Sequence, residues 1–312
     1  MIIAQWDSTR KNDTMSGLHR YATELYIRTS QQANVKRYHY GGFNLNSFIN
    51  YKPGDITHIT TQSFAFLKVL KNVKNCVITI NDLIPEVEFN RVQKIREKWI
   101  LSEFVLDKAD HYIAISDYTK MQLMCHYPKI DVNDITVVYD GVDHNVFKPQ
   151  DRQAAKQKFK FNDSKPYLLV VSSDKPWKHN NVVRNLPYNI IYTGYGNGQY
   201  GFISDGDMVD LYNACDILLI PSTHEGFCLP AVEAMACGTP VIYANETALP
   251  EVIGYGGYSI DNIFDQQSWI DAVDCIMSSW NSWSSRAILC AQQYSWDKCA
   301  IETLAVYDSL EK

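Results

Sequence analysis

The chain has 312 residues, of which 46% are hydrophobic and 21% are charged, a composition typical of globular proteins with a large core. No apolar run approaches the ~18 residues of a membrane span, and the N-terminus has no signal-peptide core, so the sequence predicts a cytoplasmic protein rather than a secreted or integral-membrane one. The net charge of −6 argues against a nucleic-acid-binding protein.

Eight cysteines are scattered along the chain, without a CxxC pair or a Cys/His spacing suited to zinc. A chain of this size needs no disulfides, so we expect small buried thiols in a reducing compartment.

The charges are divided unevenly between the two halves of the chain. Residues 1–160 contain 22 basic and 17 acidic residues, whereas residues 161–312 contain 7 and 18. This asymmetry predicts two domains with different partners. In one interpretation, the basic half meets an anionic acceptor or associates peripherally with a membrane surface. In the other, it is only a solvated basic face. The solvated face is slightly favoured, because the basic residues at 91–98 fall on a predicted exposed helix.

Apolar runs alternate with helical patterns along the first half, as in parallel α/β layers. The predicted elements are a strand at 77–80, a helix at 90–107, a strand at 111–116, a helix from Asp117 and a strand at 135–143. The polar stretch 147–166 is bracketed by prolines and predicts the linker between domains.

The same alternation begins again in the second half. The predicted elements are strands at 167–173, 189–194, 216–222 and 241–245, and a helix at 205–215 with Ser204 as its N-cap. The pattern predicts two doubly wound, Rossmann-like domains that face each other across a cleft. Because ligands of such sheets bind outside the carboxyl ends of the strands, the loops that follow strands are the candidate sites.

Residues 216–245 combine a buried strand, a tight loop and a short helix. The strand ends at Pro221, Pro230 suits the first helical position, and Gly238 suits the C-terminal cap. The helix therefore points its N-terminus at the end of the strand, where its N–H groups and dipole favour a phosphate.

Two carboxylates flank this point. Glu225 lies in the loop before the helix, and Glu233 lies about one turn inside it. Since the two residues belong to different elements, they can bind two parts of one extended ligand, and carboxylates suit the vicinal hydroxyls of a ribose or a hexose. Taken alone, Glu233 would be read as an exposed helix residue.

The segment EGFCLPAVEAMACGTPVI resembles the E-x7-E segment of the family-4 retaining glycosyltransferases, also called glycosyl transferases group 1, which have the GT-B fold. Further segments resemble the family in the same order along the chain: 15–25, 78–85, 112–123, 135–149, 171–180, 248–254 and 294–310. The resemblance covers nearly the whole chain, which is shorter than most members.

The resemblance implies an acceptor-side domain over 1–155, a donor-binding domain over 156–290, and a closing helix over 291–312 that packs back toward the first domain. It implies transfer of a sugar, with retention, from a nucleoside-diphosphate sugar to a hydroxyl of a glycan, lipid-linked or protein-linked acceptor. No metal and no further cofactor are expected.

The resemblance also implies roles for individual residues. Glu233 would bind the ribose, Glu225 would reach the donor sugar, and Lys178 would neutralise the leaving diphosphate. The other implied donor contacts are the main chain of Phe227, Cys228 and Leu229, and the glycine loop at Ser16 and Gly17.

The chain departs from the family pattern on the acceptor side. The family's His-Asp pair is Asn81-Asp82 here, and both residues are assigned to the catalytic site. Either the donor sugar differs near its 6-position, or turnover is reduced; we favour a changed donor.

Two departures lie on the donor side. The family arginine before the phosphate-binding lysine corresponds to Ser173 or Trp177, with Lys175 as a substitute. Cys228 replaces a glycine, which either narrows the pocket or is a harmless exchange of small residues, the reading we favour.

Two other motifs resemble known chemical sites, but we assign neither a dehydrogenase activity nor a metal to them. The GxGxxG pattern at 196–201 has no helix directly behind it, so we expect it to line the nucleotide base rather than to mark a dehydrogenase. Asp205 and Asp207 suit the first turn of a helix rather than a metal site. A degenerate protein that binds sugar nucleotides or glycans without transferring them is the alternative function.

Overall fold

The chain forms two compact α/β units. The computed structural model describes residues 1–7, 17–39, 51–52, 54–62, 68, 73–83, 108–162, 164–173, 175–194 and 203–311. Unit 1 comprises Met1–Asp140 and Trp296–Lys312, and unit 2 comprises Gly141–Ser295. The sequence placed the corresponding boundaries at 155/156 and 290/291.

The described part of unit 1 is built on a parallel sheet. Its strands are β1 Ile2–Asp7, β2 Asn34–His39, β3 Ile56–Ile59, β4 Cys76–Ile80, β5 His111–Ala114 and β6 Ile135–Val137. They lie in the order β2-β1-β3-β4-β5-β6. The helices include α1 Gly17–Thr29 and α2 Asp117–His126. A third helix, Trp296–Leu310, comes from the end of the chain, and we call it the returning helix. Strand β4 is buried along its whole length, as expected for a parallel strand covered on both faces.

The described part of unit 2 contains a second parallel sheet, in the order β11-β10-β9-β7-β8. Its strands are β7 Tyr167–Val171, β8 Asn189–Thr193, β9 Ile217–Ile220, β10 Val241–Ala244 and β11 Gly257–Ile260. Its helices are α3 Arg152–Lys158, α4 Asp205–Ala214, α5 Leu229–Ala236, α6 Leu249–Ile253, α7 Gln266–Ser278 and α8 Trp280–Ala291.

The predicted fold class of two Rossmann-like α/β units is confirmed. Every predicted strand is present, most of them shorter than predicted because the last predicted residues, which are mostly polar, proline or glycine, belong to the loops that follow. Ser204 caps α4 as predicted, since its hydroxyl accepts a hydrogen bond from the Asp207 N–H. The helix predicted at 90–107 lies outside the described residues. Among the helices that the structure describes, none has the length and apolar character needed to cross a membrane.

The prediction of a linker over 147–166 is wrong, because α3 lies within that stretch and is anchored in unit 2. The Asp151 side chain caps the helix by accepting hydrogen bonds from two main-chain N–H groups. The guanidinium of Arg152 lies 2.7 Å from Asp216 and stacks 3.9 Å above the centre of the Trp280 ring. Polar composition and flanking prolines suggested a solvated segment, but these charges are paired within the unit.

A buried chain of polar side chains joins the returning helix to the sheet of unit 1. Tyr307 lies 2.6 Å from Nδ1 of His58, and Nε2 of His58 lies 2.7 Å from the Thr79 hydroxyl. The Tyr21 phenol of α1 is 2.9 Å from that same hydroxyl. Burial lowers the pKa of His58 to about 3, so its ring is neutral and one nitrogen donates while the other accepts.

Candidate functional site

The segment singled out in the sequence forms the predicted strand–loop–helix. Strand β9 is fully buried and is followed by Pro221 and Ser222, and α5 then starts at Leu229. Pro230 is the second helical residue rather than the first, and both positions tolerate proline because their N–H groups have no partner within the helix. Gly238 follows α5 at φ +81°, the left-handed conformation typical of a helix end.

Cys228 occupies the N-cap of α5 in an unusual backbone conformation. Its φ is +80° and its ψ is +71°, a region that favours glycine, and its side chain makes no capping hydrogen bond. Burial, with the negative charge of Glu225 nearby, raises the pKa of the Cys228 thiol far above its ordinary value. The thiol is therefore neutral.

Lys178 and Glu225 form a salt bridge. Lys178 ends a 3-10 turn, Pro176–Lys178, in the loop after β7, and Glu225 lies in the loop after β9. Nζ of Lys178 lies 2.6 Å from Oε1 of Glu225, and only 21% and 13% of the two side chains are exposed. The neighbouring strands β7 and β9 thus bring these two loops together, as expected at the carboxyl edge of a parallel sheet.

A pocket opens at this edge of unit 2. Lys178, Glu225 and Cys228 all contribute to its wall. The remaining lining residues come from the ends of β7 and β9 and from the start of α5: Val171, Ser172, Leu219, Ile220, Pro221, Ser222 and Pro230. A cation, a carboxylate and a helix N-terminus therefore share one small cavity, whose other walls are apolar apart from two serines.

Glu233 does not line that pocket. It is 7% exposed, and its Oε2 accepts a 3.0 Å hydrogen bond from the Tyr212 phenol of α4. A residue of a neighbouring helix thus positions the carboxylate. The interpretation of Glu233 as an exposed helix residue is therefore wrong. Sequence reasoning did not identify Tyr212, which is one of 20 tyrosines and carries no local motif.

Phe227 and Leu229 place their side chains in the core of unit 2. Phe227 is 2% exposed and packs edge-to-face against Tyr294, with ring centres 5.2 Å apart. Leu229 is 9% exposed. Their side chains are therefore not available to a ligand, and the main-chain role assigned to these two residues stays a prediction.

Thr223 joins the two loops and was missed by sequence reasoning. Its N–H donates a 2.9 Å hydrogen bond to the carbonyl of Trp177, the residue before Lys178. Its hydroxyl lies 3.1 Å from a ring nitrogen of His179 and 3.1 Å from one of His224. The only sequence signal is adjacency, since the two histidines are direct neighbours of Lys178 and Glu225.

The positions considered for the missing arginine have different surroundings. Ser173 is half-buried, and its carbonyl accepts a 3.0 Å hydrogen bond from the Asn180 amide. Trp177 is buried, and the exposed Lys175 ammonium lies 5.9 Å from the centre of its ring. Lys178 is therefore the cation of this loop that reaches the pocket wall.

The acceptor-side candidates belong to unit 1. Asn81 directly follows β4, is 6% exposed, and donates from its side-chain amide to the Thr60 carbonyl at 3.0 Å. The side chain of Gln62 accepts from the Asn81 N–H at 3.2 Å and donates to the Asp82 carbonyl. Gly17 is the first residue of α1, whereas Ser16 lies outside the described residues.

Of the GxGxxG pattern and the Asp205/Asp207 pair, the structure describes the second. The GxGxxG pattern at 196–201 lies outside the described residues. Asp205 and Asp207 lie in the first turn of α4 as predicted, and Asp207 is paired with Lys158 of α3 at 2.6 Å. Within the described ranges, His, Cys, Asp and Glu form no group of three or more suited to a metal ion.

Two sequence models of protein families match this chain. Residues 15–146 match the family described as Glycosyltransferase Family 4, and residues 198–291 match Glycosyl transferases group 1. The first match covers most of the first segment of unit 1. The second includes both glutamates and the whole of α5.

Curated relatives match parts of the chain. The O-antigen chain mannosyltransferase B of Escherichia coli is 32% identical over 154 residues, which are 46% of this chain and 38% of that protein. The D-inositol 3-phosphate glycosyltransferase of Mycobacterium marinum is 30% identical over 239 residues, 65% of this chain and 51% of that protein. The matches thus span about half of these relatives or less.

Solved structures that share the fold cover nearly all of this chain. Sucrose-phosphate synthase from Thermosynechococcus elongatus has a TM-score of 0.81 at 16% identity, with 99% of each chain covered. The Anabaena protein Alr3699/HepE in complex with UDP-glucose has a TM-score of 0.76 at 18% identity, with 99% of this chain and 100% of that one covered. The two family models together match most of the chain and show that it belongs to the group 1 glycosyltransferases of the family 4 type. The solved structures show that it has the GT-B fold.

Proposed function

We propose that this chain transfers a sugar from a nucleoside-diphosphate sugar to a hydroxyl group of a glycan or glycoconjugate, with retention of the anomeric configuration. The observation that carries the proposal is the convergence of Lys178, Glu225 and the N-terminus of α5 on one pocket. A lysine and a helix N-terminus favour a phosphate, and a carboxylate favours sugar hydroxyls. A nucleoside-diphosphate sugar contains both groups side by side.

In the proposed reaction, the bond between C1 of the sugar and the diphosphate oxygen breaks. C1 bonds to the acceptor oxygen on the same face, and the proton of the acceptor hydroxyl passes to the departing diphosphate oxygen. Lys178 and the N-terminus of α5 stabilise the charge on the departing diphosphate, while Glu225 orients the sugar and stabilises positive charge at C1. The proposal assigns no protein nucleophile and no metal ion.

Glu233 is proposed to bind the ribose of the donor. The Tyr212 phenol holds one carboxylate oxygen, which restricts the side chain to one orientation. The donor class is supported by the bound UDP-glucose in the similar Anabaena structure. A saccharide acceptor is supported by the name of the Escherichia coli relative, a mannosyltransferase of the O-antigen chain. Lipid-linked and protein-linked sugars belong to the same acceptor class.

The test begins with thermal stabilisation by UDP, GDP, ADP, dTDP and their common sugar conjugates, without added metal. Ligand at ~100 times its dissociation constant adds about 2.7 kcal/mol of stability, which a melting experiment resolves. One preferred base is expected, and Glu233→Ala should abolish its effect. Glu225→Ala should retain nucleotide binding and lose turnover.

Transfer is then measured with the preferred donor and a panel of saccharide acceptors, and the anomeric configuration of the product is read by NMR. An inverted product would disprove retention. Tight donor binding with no transfer to any acceptor would favour the non-catalytic alternative, and a flat thermal response to every nucleotide would contradict the proposed donor site.

A further inference from the structure

The two charged side chains assigned to different parts of the donor are bound to each other. Lys178 is proposed to meet the diphosphate, and Glu225 the sugar, yet Nζ and Oε1 are 2.6 Å apart. Both residues line the same pocket. A diphosphate that enters this pocket therefore has to compete with Glu225 for the ammonium group.

The backbone limits how far the two groups can separate. The main chains of the two loops are joined by the hydrogen bond from the Thr223 N–H to the Trp177 carbonyl, 2.9 Å long. The Glu225 N–H donates a 3.1 Å hydrogen bond to the Thr247 hydroxyl, which anchors the glutamate from its other side. Glu225 thus stays beside Lys178 when a ligand arrives, and side-chain rotation is what decides which anion the lysine meets.

We infer that Glu225 competes with the diphosphate for Lys178 and thereby makes the site prefer the intact donor to the nucleoside diphosphate that transfer leaves behind. This inference rests on the proposed function. An intact donor brings sugar hydroxyls that donate to the released carboxylate, so the lost salt bridge is replaced. A nucleoside diphosphate has no sugar to do this, and it leaves Glu225 unpaired in a partly buried site next to a phosphate. When the sugar has left, Glu225 regains Lys178 and promotes release of the product.

The experiment is a double-mutant cycle on nucleotide affinity. The probe is UDP, GDP, ADP or dTDP, whichever stabilises the wild type most, and its Kd is measured by calorimetry. The four proteins are the wild type, Glu225→Gln, Lys178→Met and the double variant. We expect Glu225→Gln to bind the nucleoside diphosphate about five- to tenfold more tightly than the wild type, since the carboxylate that competes with the diphosphate for Lys178 is then gone.

The lysine variant separates competition from plain repulsion. If Glu225 merely repelled the diphosphate, Glu225→Gln would tighten binding equally in the Lys178→Met background. Competition for Lys178 predicts that the gain disappears there, to within twofold. Equal gains in both backgrounds, or no gain in either, would overturn the inference.

The matching sugar nucleotide, measured without acceptor, gives the second readout. Glu225→Gln should not tighten the intact donor, so the preference for donor over product should fall by at least about five- to tenfold. Asp271→Asn is the matched control, because it removes one negative charge from an exposed position of α7 and should change neither Kd. If no nucleotide binds the wild type, the proposed function itself fails. If transfer occurs but the cycle shows no coupling, only this inference fails.

Discussion

Tyr212 and Glu233 lie on the neighbouring helices α4 and α5, and the phenol of Tyr212 donates a 3.0 Å hydrogen bond to Oε2 of Glu233. Both residues are buried, so the bond fixes the carboxylate before any ligand arrives. In Tyr212→Phe, Glu233 loses this support, worth about 1 kcal/mol. We expect the Kd for the donor to rise about fivefold while kcat changes by less than twofold.

The control is Tyr243→Phe, which removes a phenol that donates to the Gly254 carbonyl in the same unit. An unchanged Kd in Tyr212→Phe would rule out the positioning role.

Cys228 pays a conformational cost at the head of α5, since its φ of +80° suits glycine better than any residue with a side chain. Cys228→Gly should therefore stabilise the protein by about 1 kcal/mol, measured as a higher Tm without ligand. Cys228→Ala keeps a Cβ atom and hence the strain, so it should not raise the Tm. If the two variants were equally stabilised, the thiol and not the backbone would be the source of the effect.

Asn81 is a buried residue whose amide is already engaged. Its Nδ2 donates to the Thr60 carbonyl at 3.0 Å, and its main chain is held by Gln62. Asn81→His inserts a larger ring at a position that is 6% exposed, so we expect a loss of about 1–3 kcal/mol in stability and lower turnover. A large gain in turnover would instead indicate a decayed enzyme that lost its histidine. Turnover and Tm should be measured on the same preparation, so that unfolding is not mistaken for a catalytic effect.

Asp140 makes the stability of unit 1 dependent on pH. Its carboxylate is buried, and Oδ1 has no hydrogen-bond partner within the described residues. Burial raises the pKa of Asp140 to about 8, above the value near 4 of an unfolded chain. The folded state therefore holds its proton more tightly, and the contribution of Asp140 to stability is lost as the pH rises from about 4 to 8.

Asp140→Asn removes this dependence. The gain in the free energy of unfolding that the substitution brings should be larger at pH 8 than at pH 5, by at least about 1 kcal/mol. The check is denaturant unfolding at the two pH values, followed through the intrinsic tryptophan fluorescence of the protein. The exposed Asp308 of the returning helix offers a control. Asp308→Asn should change the free energy of unfolding by the same amount at both pH values. A stabilisation by Asp140→Asn that does not grow with pH would show that the carboxyl is ionised in the folded state.

Much of the fold was predictable because it is encoded locally. Strands such as 77–80 are short apolar runs, and Ser204 and Gly238 mark helix ends by their chemistry. The E-x7-E loop and helix were predictable because both acids are set in a framed motif. The predicted roles of Glu225, Glu233 and Lys178 remain predictions until binding and turnover are measured.

The features that sequence reasoning missed depend on partners distant in the chain. Lys178 and Glu225 are 47 residues apart, and no pattern within either loop says that they pair. The helix α3 was taken for a linker because the residues that neutralise its charges, such as Asp216, come much later. The strain at Cys228 was missed because the replacement of the family's glycine was taken for a harmless exchange of small residues, whereas a left-handed backbone favours glycine at that position.

The returning helix has a consequence for the order in which the two units can be completed on the ribosome. Unit 2 is one continuous stretch, Gly141–Ser295, and its ends are tied together by a bridge between Val142 and Ser295. Unit 1 consists of two separate stretches of the chain. His58, in the first stretch, can form its hydrogen bond with Tyr307 only after 249 more residues have been synthesised. The second half of the chain can therefore be finished first, while the N-terminal sheet, although synthesised earlier, lacks one of its covering helices until translation has passed residue 310. Until then the surface that the returning helix buries in the folded protein lacks this cover, so the first half of the nascent chain exposes apolar side chains for longer than the second.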